Sequence, residues 1–208
     1  MKKKTMTLIL ALVLVVGCVV GGTVAWLVDS TSEVKNVFTT ADIDVTLTET
    51  FNTDTDGDNK NDAWKAQMIP GYSYTKDPKV EVSTNSVDCY LFVKFEETNN
   101  PSTYLTYTST LTTANGWTQG TGDGEDGNGV PTNVWFRKVM ASDATRSWAL
   151  LKDNTISVKE TVTKGNMQTA ATATLTYTAY ASQLYKNNNA TDNEFTAKEA
   201  WNNVNPSK

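Results

Sequence analysis

The stretch ATLTYTAYASQ, residues 173–183, carries the clearest secondary-structure signal in the protein. Thr174, Thr176 and Thr178 alternate there with apolar residues, which are Leu175, Tyr177, Ala179 and Ala181. A period of two puts one set on each side of a β-strand, so this stretch predicts a strand with one face on a core and the other in water. Threonine suits that role, because its branched Cβ fits the pleated backbone and its hydroxyl hydrogen-bonds with solvent.

The same pattern recurs along the sequence. In residues 43–51, IDVTLTETF, the apolar Ile43, Val45 and Leu47 alternate with polar residues. Further runs of strand character cover residues 79–83, 89–96, 104–111, 134–140, 147–151 and 156–162. About eight short strands separated by Gly, Asn, Asp and Pro predict an all-β fold, an antiparallel two-sheet sandwich. Jelly-roll and immunoglobulin-like arrangements both satisfy this pattern.

Two segments depart from the strand pattern. Residues 193–204 predict a short C-terminal helix, capped by Thr191 or Asp192 and docked through its apolar face on the edge of the sandwich. Residues 113–133 contain several glycines and few apolar groups, so they predict a long flexible insertion.

Composition excludes several kinds of chemistry. The 208 residues include no histidine and only two cysteines. Serine or cysteine catalysis with a histidine base, His-ligated zinc and four-thiolate metal sites are therefore all excluded. The formal net charge of −5 argues against nucleic acid as a partner, because proteins that bind it are usually basic.

The N-terminus has the order of a secretory signal peptide. Three lysines, residues 2–4, precede an apolar run over residues 8–20, and the small residues of GGTVA, 21–25, follow. The apolar run is shorter than the roughly 20 residues that span a bilayer. We therefore expect cleavage between Ala25 and Trp26, a secreted product and no stable membrane span after cleavage. Cleavage would remove three of the 18 basic residues and none of the 23 acidic ones, which takes the net charge to −8.

Cys18 offers a competing interpretation of the same region. The residues VVGC, 15–18, fit a lipoprotein signal, in which the acylated cysteine would anchor the protein to the membrane. The apolar stretch continues beyond Cys18 and a second small-residue cleavage site follows, so the secretory interpretation is favoured. The other cysteine, Cys89, lies in an apolar strand and predicts a buried thiol.

Residues 54–62, DTDGDNKND, carry the only spacing typical of a metal site. Asp54, Asp56, Asp58 and Asp62 occupy positions 1, 3, 5 and 9 of a calcium-type loop. Lys65 stands at position 12, where a bidentate glutamate is expected, so the motif is partial. A Ca²⁺ site and a solvated acidic turn between strands are both left open.

Residues 21–47, GGTVAWLVDSTSEVKNVFTTADIDVTL, resemble the start of the TasA/camelysin family of Gram-positive bacteria. In that family a Gly-Gly-Thr-x-Ala signal end precedes an aromatic-x-x-Asp segment, an Asn-x-Phe turn and an Asp-x-x-Leu strand. Downstream, residues 68–97, which include Ile69-Pro70-Gly71, and the segment TLTYTAYASQ with a later KEAW resemble further blocks of the family. The resemblance covers most of the sequence after residue 25 but not residues 113–133.

The resemblance implies a jelly-roll-like domain over residues 39–208 and a role in cell-surface or biofilm-matrix fibres. A signal peptidase of the SipW type would remove residues 1–25. The freed segment 26–38 would then add as a donor strand to another copy or to a related matrix protein. Its apolar residues are Trp26, Leu27, Val28, Val34, Val37 and Phe38. The family has also been described as metalloproteases. This protein has no histidine to bind a catalytic zinc ion, so we expect no enzyme activity.

Two functional hypotheses follow. The first is a secreted structural protein that assembles into fibres through its N-terminal strand. The second is a monomeric adhesion or carbohydrate-binding sandwich stabilised by calcium, in which an aromatic residue such as Trp117 would stack on a sugar.

Overall fold

A computed structural model describes residues 43–50, 68–125, 127–166, 172–186 and 193–204. All of them lie in residues 41–208, one of the two units into which the protein divides. The described helices are α1, Pro101–Tyr104, and α2, Ala197–Val204. The described strands are β1 Val45–Thr48, β2 Ser73–Thr75, β3 Lys79–Val82, β4 Cys89–Thr98, β5 Leu105–Thr106, β6 Thr118–Gln119, β7 Val134–Val139, β8 Ser147–Ala149, β9 Thr155–Val158 and β10 Thr174–Gln183.

The first layer is a four-stranded antiparallel sheet in the order β10-β4-β7-β6. Its central strand β4 begins with five buried residues, CYLFV, residues 89–93. Because successive side chains of a strand point to opposite faces, an unbroken buried run requires cover on both faces of the sheet. One face packs on the second layer and the other lies beneath α2 and its neighbouring loop.

The second layer consists of two short antiparallel sheets, β1-β3-β8 and β2-β9-β5. They continue one another, since β2 leads into β3 and β8 leads into β9. Two backbone hydrogen bonds bridge the bend between them: Lys76 N–H donates to the Asn154 carbonyl and Leu150 N–H to the Pro78 carbonyl, both at 2.8 Å. The predicted all-β antiparallel sandwich with a short C-terminal helix is thereby confirmed.

The core between the layers is aliphatic. Its fully or almost fully buried side chains come from both sheets and include Val80, Val82, Leu91, Val93, Val139 and Leu150. Burial of each such side chain stabilises the fold by about 1.5–3 kcal/mol. This cluster keeps β3 and β4 in fixed positions, and these strands in turn position the two edge strands described below.

The C-terminal helix is shorter than predicted and begins at Ala197. Residues 193–195 pair instead with the residues that follow β10, where Phe195 N–H donates to the Leu184 carbonyl at 2.8 Å. The cap is also different from the one expected. Thr196 and Glu199 form a capping box, in which Thr196 N–H donates to the Glu199 carboxylate at 2.8 Å and Glu199 N–H to the Thr196 hydroxyl at 3.2 Å.

The position of α2 also corrects the prediction, because the helix lies on the outer face of the first layer rather than on an edge. Trp201 is buried, with its ring centroid 5.3 Å from those of Phe92 and Tyr180. Ion pairs flank this contact, including Lys186–Glu199 at 2.8 Å. The Lys186 ammonium, with further hydrogen bonds from Thr196, lowers the pKa of Glu199 to about 2.

The glycine-rich segment 113–133, for which composition predicts a long flexible insertion, contains local structure in its described residues. Its described residues form a 3-10 turn at Thr113–Asn115 and strand β6, and they bury Trp117 and Val130. Gly120 permits this packing, since a Cβ there would lie 2.0 Å from the Pro131 carbonyl oxygen. The glycines of this segment thus allow close backbone approach and tight turns as well as backbone freedom.

Candidate functional site

Strand β10 is an edge strand with an unusual composition. It pairs with β4 over ten residues without a bulge, from Thr174 opposite Thr98 to Gln183 opposite Cys89. Within the described residues, no strand pairs with its other side. Its sequence, TLTYTAYASQ, contains no charge and no proline. Natural proteins usually protect a long edge with charges, prolines or bulges, because an unprotected edge is a template for another strand.

The direction of the peptide groups on β10 follows from its neighbours. Phe95 N–H donates to the Asn133 carbonyl at 2.8 Å, so the odd-numbered residues of β4 bond with the β7 side and the even-numbered ones with β10. Given the register of β10 and β4, the even-numbered residues of β10 hydrogen-bond with β4. The N–H groups of Tyr177, Ala179 and Ala181 therefore point away from β4, toward the open edge.

Strand β1 lies beside this edge in the other layer, but its pairing partner is β3. Leu47 stands opposite Val80 in the register, so both side chains point to the core face. Val80 is fully buried, whereas Leu47 remains 38 % exposed. In the part of the protein that the structure describes, the apolar core is thus incompletely covered at this side of the sandwich. We call the outer side of β10, together with Leu47 of β1, the open edge.

Two tyrosines lie near the open edge. The ring of Tyr177 stacks on Phe95 with centroids 4.9 Å apart, and its hydroxyl is buried without a hydrogen-bond partner among the described residues. Burial raises the pKa of Tyr177 well above its usual range. Burial and a hydrogen bond to the Glu97 carboxylate do the same for the pKa of Tyr107. Both phenols therefore stay protonated near neutral pH, and the Tyr107 hydroxyl donates to the Glu97 carboxylate.

A shallow cavity of about 350 Å³ lies elsewhere, lined in part by Thr50, Asp77 and Lys79. Hydrogen bonds from the Thr50 hydroxyl and amide lower the pKa of Asp77, so this carboxylate stays charged. Nearby, the buried Lys76 ammonium binds both oxygens of Glu49, at 2.8 and 3.1 Å. Each charged group is thus held by a partner of complementary character, an arrangement that stabilises structure.

The residues that the sequence singles out for binding and processing lie outside the described residues. This holds for Cys18, for Ala25 and the donor segment 26–38, and for the acidic loop with Asp54, Asp56, Asp58 and Asp62. Among the described residues, no group of three or more acidic or cysteine side chains could hold a metal ion. No described helix is long and apolar enough to cross a membrane.

Trp117 does not lie where a sugar could stack on it. Its side chain is only 2 % exposed, and its ring meets Trp148 edge-on at 6.0 Å. The guanidinium of Arg137 lies 5.2 Å from the Trp117 ring and 4.3 Å from the Trp148 ring. Such cation–π contacts stabilise a partly buried arginine, and Trp117 belongs to the core between the two layers.

Cys89 is buried, as its apolar surroundings predict. Burial raises the pKa of its thiol to about 11, despite the nearby Arg146 guanidinium. Sequence reasoning missed Arg146 itself, which is buried and donates to the carbonyls of Ser86, Ala141 and Thr84 at 3.0 to 3.4 Å. No local pattern marks an arginine for this role, since two of its carbonyl partners, Thr84 and Ser86, are about 60 residues away in the sequence.

Comparisons of this protein with protein-family models, with curated proteins and with solved structures found no match.

Proposed function

We propose that this is a secreted structural protein of the cell surface or biofilm matrix of a Gram-positive bacterium. In this proposal it assembles into fibres when residues 26–38 of one copy pair with the open edge of the next. The observation that carries the proposal is the ten-residue, uncharged and proline-free edge of β10, beside the incompletely covered Leu47. Backbone hydrogen bonds along such an edge supply affinity, and alternate side chains supply register.

The sequence of residues 26–38 has the pattern that this edge requires. Alternate positions beginning at Trp26 are apolar or small and uncharged: Trp26, Val28, Ser30, Ser32, Val34, Asn36 and Phe38. The intervening positions include the charged Asp29, Glu33 and Lys35. A strand of this pattern presents one face to the core beside Leu47 and leaves its charges in water.

In this proposal, removal of the signal peptide during export starts assembly. Residues 1–25 hold the donor segment at the membrane until a signal peptidase of the SipW type cuts between Ala25 and Trp26. A donor at one end and an acceptor edge elsewhere on the same molecule make a head-to-tail contact. Such a contact produces filaments when it does not close into a ring. The resemblance of residues 21–47 to the TasA/camelysin family supports the same assignment, as a structural protein rather than an enzyme.

Electron microscopy and size-exclusion chromatography of the mature protein test this proposal. We expect filaments from residues 26–208 and monomers from a matched protein that begins at residue 39. Filaments that persist without residues 26–38 would contradict assembly by the donor strand. Monomers of both proteins under all conditions would favour the second candidate function.

That second candidate is a monomeric adhesion or carbohydrate-binding sandwich stabilised by calcium. The observation in its favour is the 53 % exposed Tyr72, whose ring lies 4.7 Å from that of Tyr74. An exposed aromatic ring can stack on the apolar face of a sugar. Loss of glycan binding in Tyr72→Ala, with no filaments from the parent protein, would support this candidate over the first.

Calcium binding by the acidic loop is a separate prediction. Millimolar Ca²⁺ at about ten times its dissociation constant stabilises the folded state by about 1.4 kcal/mol and is expected to raise the melting temperature of the mature protein by roughly 3–6 °C. Asp56→Ala should abolish the rise, because it removes one carboxylate ligand. Asp123→Ala, which removes a carboxylate from a different loop, should preserve it. Thermal unfolding with Ca²⁺ or a chelator measures the effect, and equal melting temperatures in the parent would refute the site.

A further inference from the structure

Two Asn-Gly steps occur in the sequence, Asn115-Gly116 and Asn128-Gly129. Asn-Gly is the dipeptide most open to spontaneous deamidation, because glycine has no side chain to hinder the approach of its nitrogen. The glycine nitrogen attacks the asparagine Cγ and gives up its proton to solvent, the Nδ2 group takes up a proton from solvent, the bond between Cγ and Nδ2 breaks, and Nδ2 leaves as ammonia. Water then opens the resulting succinimide ring to aspartate or isoaspartate, which adds one negative charge.

The structure restrains the Asn128 side chain strongly. Its Oδ1 accepts hydrogen bonds from Thr121 N–H at 3.0 Å and from Val130 N–H at 3.1 Å, and its Nδ2 donates to the Gln119 carbonyl at 2.9 Å. Attack by the Gly129 nitrogen requires the side-chain amide to rotate. That rotation breaks all three hydrogen bonds. Because each of them stabilises the starting geometry, their loss raises the barrier to deamidation.

The Asn115 side chain is held much less. It is exposed at the end of the 3-10 turn, and among the described residues it makes one hydrogen bond, from Nδ2 to the Thr110 carbonyl at 2.8 Å. The backbone nitrogens that would attack are in similar environments at the two sites, because each already donates a hydrogen bond. Gly116 N–H donates to the Thr113 carbonyl at 3.0 Å and Gly129 N–H donates to the Gly122 carbonyl at 2.9 Å.

A basic side chain packs on the glycine of each site. Lys198 lies against Gly129, but its ammonium is ion-paired with Asp123 at 2.7 Å. At the first site the basic side chain is Arg137. The guanidinium of Arg137 packs so closely on Gly116 that a Cβ there would come within 3.3 Å of Nη2. Its Nη1 lies 3.4 Å from the Asn115 carbonyl oxygen. In the described part of the protein, no carboxylate lies within ion-pair distance of this guanidinium. A fixed positive charge stabilises the negative charge that develops on the attacking nitrogen and on the side-chain oxygen.

We propose that Asn115 is a site of spontaneous deamidation in the folded protein, and that the fold protects Asn128. The product places an aspartate or isoaspartate carboxylate in the turn against which the Arg137 guanidinium packs. The modification depends on the local geometry of the two loops and does not rest on the proposed assembly.

The test compares the two sites within one peptide. Trypsin releases both in the fragment Phe95–Arg137, because no lysine or arginine lies between Lys94 and Arg137. The native mature protein is incubated at mildly alkaline pH, and fragment-ion mass spectrometry follows each asparagine over time. Asn115 is expected to deamidate about tenfold faster than Asn128, the factor that corresponds to about 1.4 kcal/mol. In denaturant the two rates should converge.

Three results would overturn the proposal: equal rates at the two sites in the folded protein, faster loss at Asn128, or no loss at Asn115 while the denatured protein reacts. Arg137→Gln tests the role of the cation and should slow Asn115 alone. An unchanged deamidation rate at Asn115 would show that Arg137 does not promote the reaction. A rise at both sites would show that the variant unfolds, and Arg137→Lys, which retains the charge, then provides the comparison.

Discussion

The variant Ala179→Pro is expected to abolish filament formation while the domain remains folded. Ala179 lies in the middle of β10, and its N–H group points to the open edge rather than to β4. Proline removes that single donor and places its ring where an incoming strand would lie, whereas the ladder between β10 and β4 loses no hydrogen bond. Negative-stain electron microscopy and sedimentation of the mature protein provide the measurement, with circular dichroism as the check on folding.

Two neighbouring substitutions make this prediction specific. Ala179→Ser keeps the N–H group and should still form filaments. Thr178→Pro removes an N–H group that bonds with β4, so it should destabilise the domain itself. Normal filaments from Ala179→Pro would show that the outer side of β10 is not the acceptor, even if residues 26–38 are needed for assembly.

The variant Trp201→Ala is expected to lower the free energy of unfolding by about 3–5 kcal/mol, the usual effect of removing a large buried aromatic side chain. Trp201 is the main aromatic contact of α2 with the outer face of the first layer, where it packs on Phe92 and Tyr180. Urea unfolding of the mature protein measures the change.

Asn202→Ala is the matched control for this prediction, since Asn202 is the next residue of α2 and is exposed. It should change the free energy of unfolding by no more than about 0.5 kcal/mol. A loss below about 1 kcal/mol for Trp201→Ala would mean that α2 contributes little to the stability of the sheet. The outer face of β4 would then need another explanation for its apolar side chains.

The longer strands could be predicted because their signal is local. Strands β4 and β10 follow residues 89–96 and 173–183 closely, since each has a period of two or a continuous apolar run. Strands β2 and β6, with three and two residues, are not predicted by the sequence, because no periodicity exists over so short a length. The position of the helix cap also depends on distant contacts, because residues 193–195 pair with the residues that follow β10 instead of joining the helix.

The candidate site was less accessible to sequence reasoning. The sequence does not show how Trp117 and Trp201 are buried: Trp117 packs against Trp148 and Arg137, and Trp201 packs from α2 onto the first layer. The partial exposure of Leu47 is also invisible in the pattern IDVTL, which predicts only that this residue points to the core. Whether a core position is covered depends on strands that are distant in the sequence.

The sequence by itself determined the class of this protein: alternating threonines and apolar residues specify antiparallel strands, and the lack of histidine excludes several catalytic mechanisms. Those properties depend on residue type and on neighbours within a few positions. Tertiary structure alone decided that β10 stands at an edge, that α2 covers the outer face of β4, and that Asn115 and Asn128 differ in restraint. Each of these depends on pairing between distant segments, and burial and hydrogen bonding are set by such contacts rather than by local sequence.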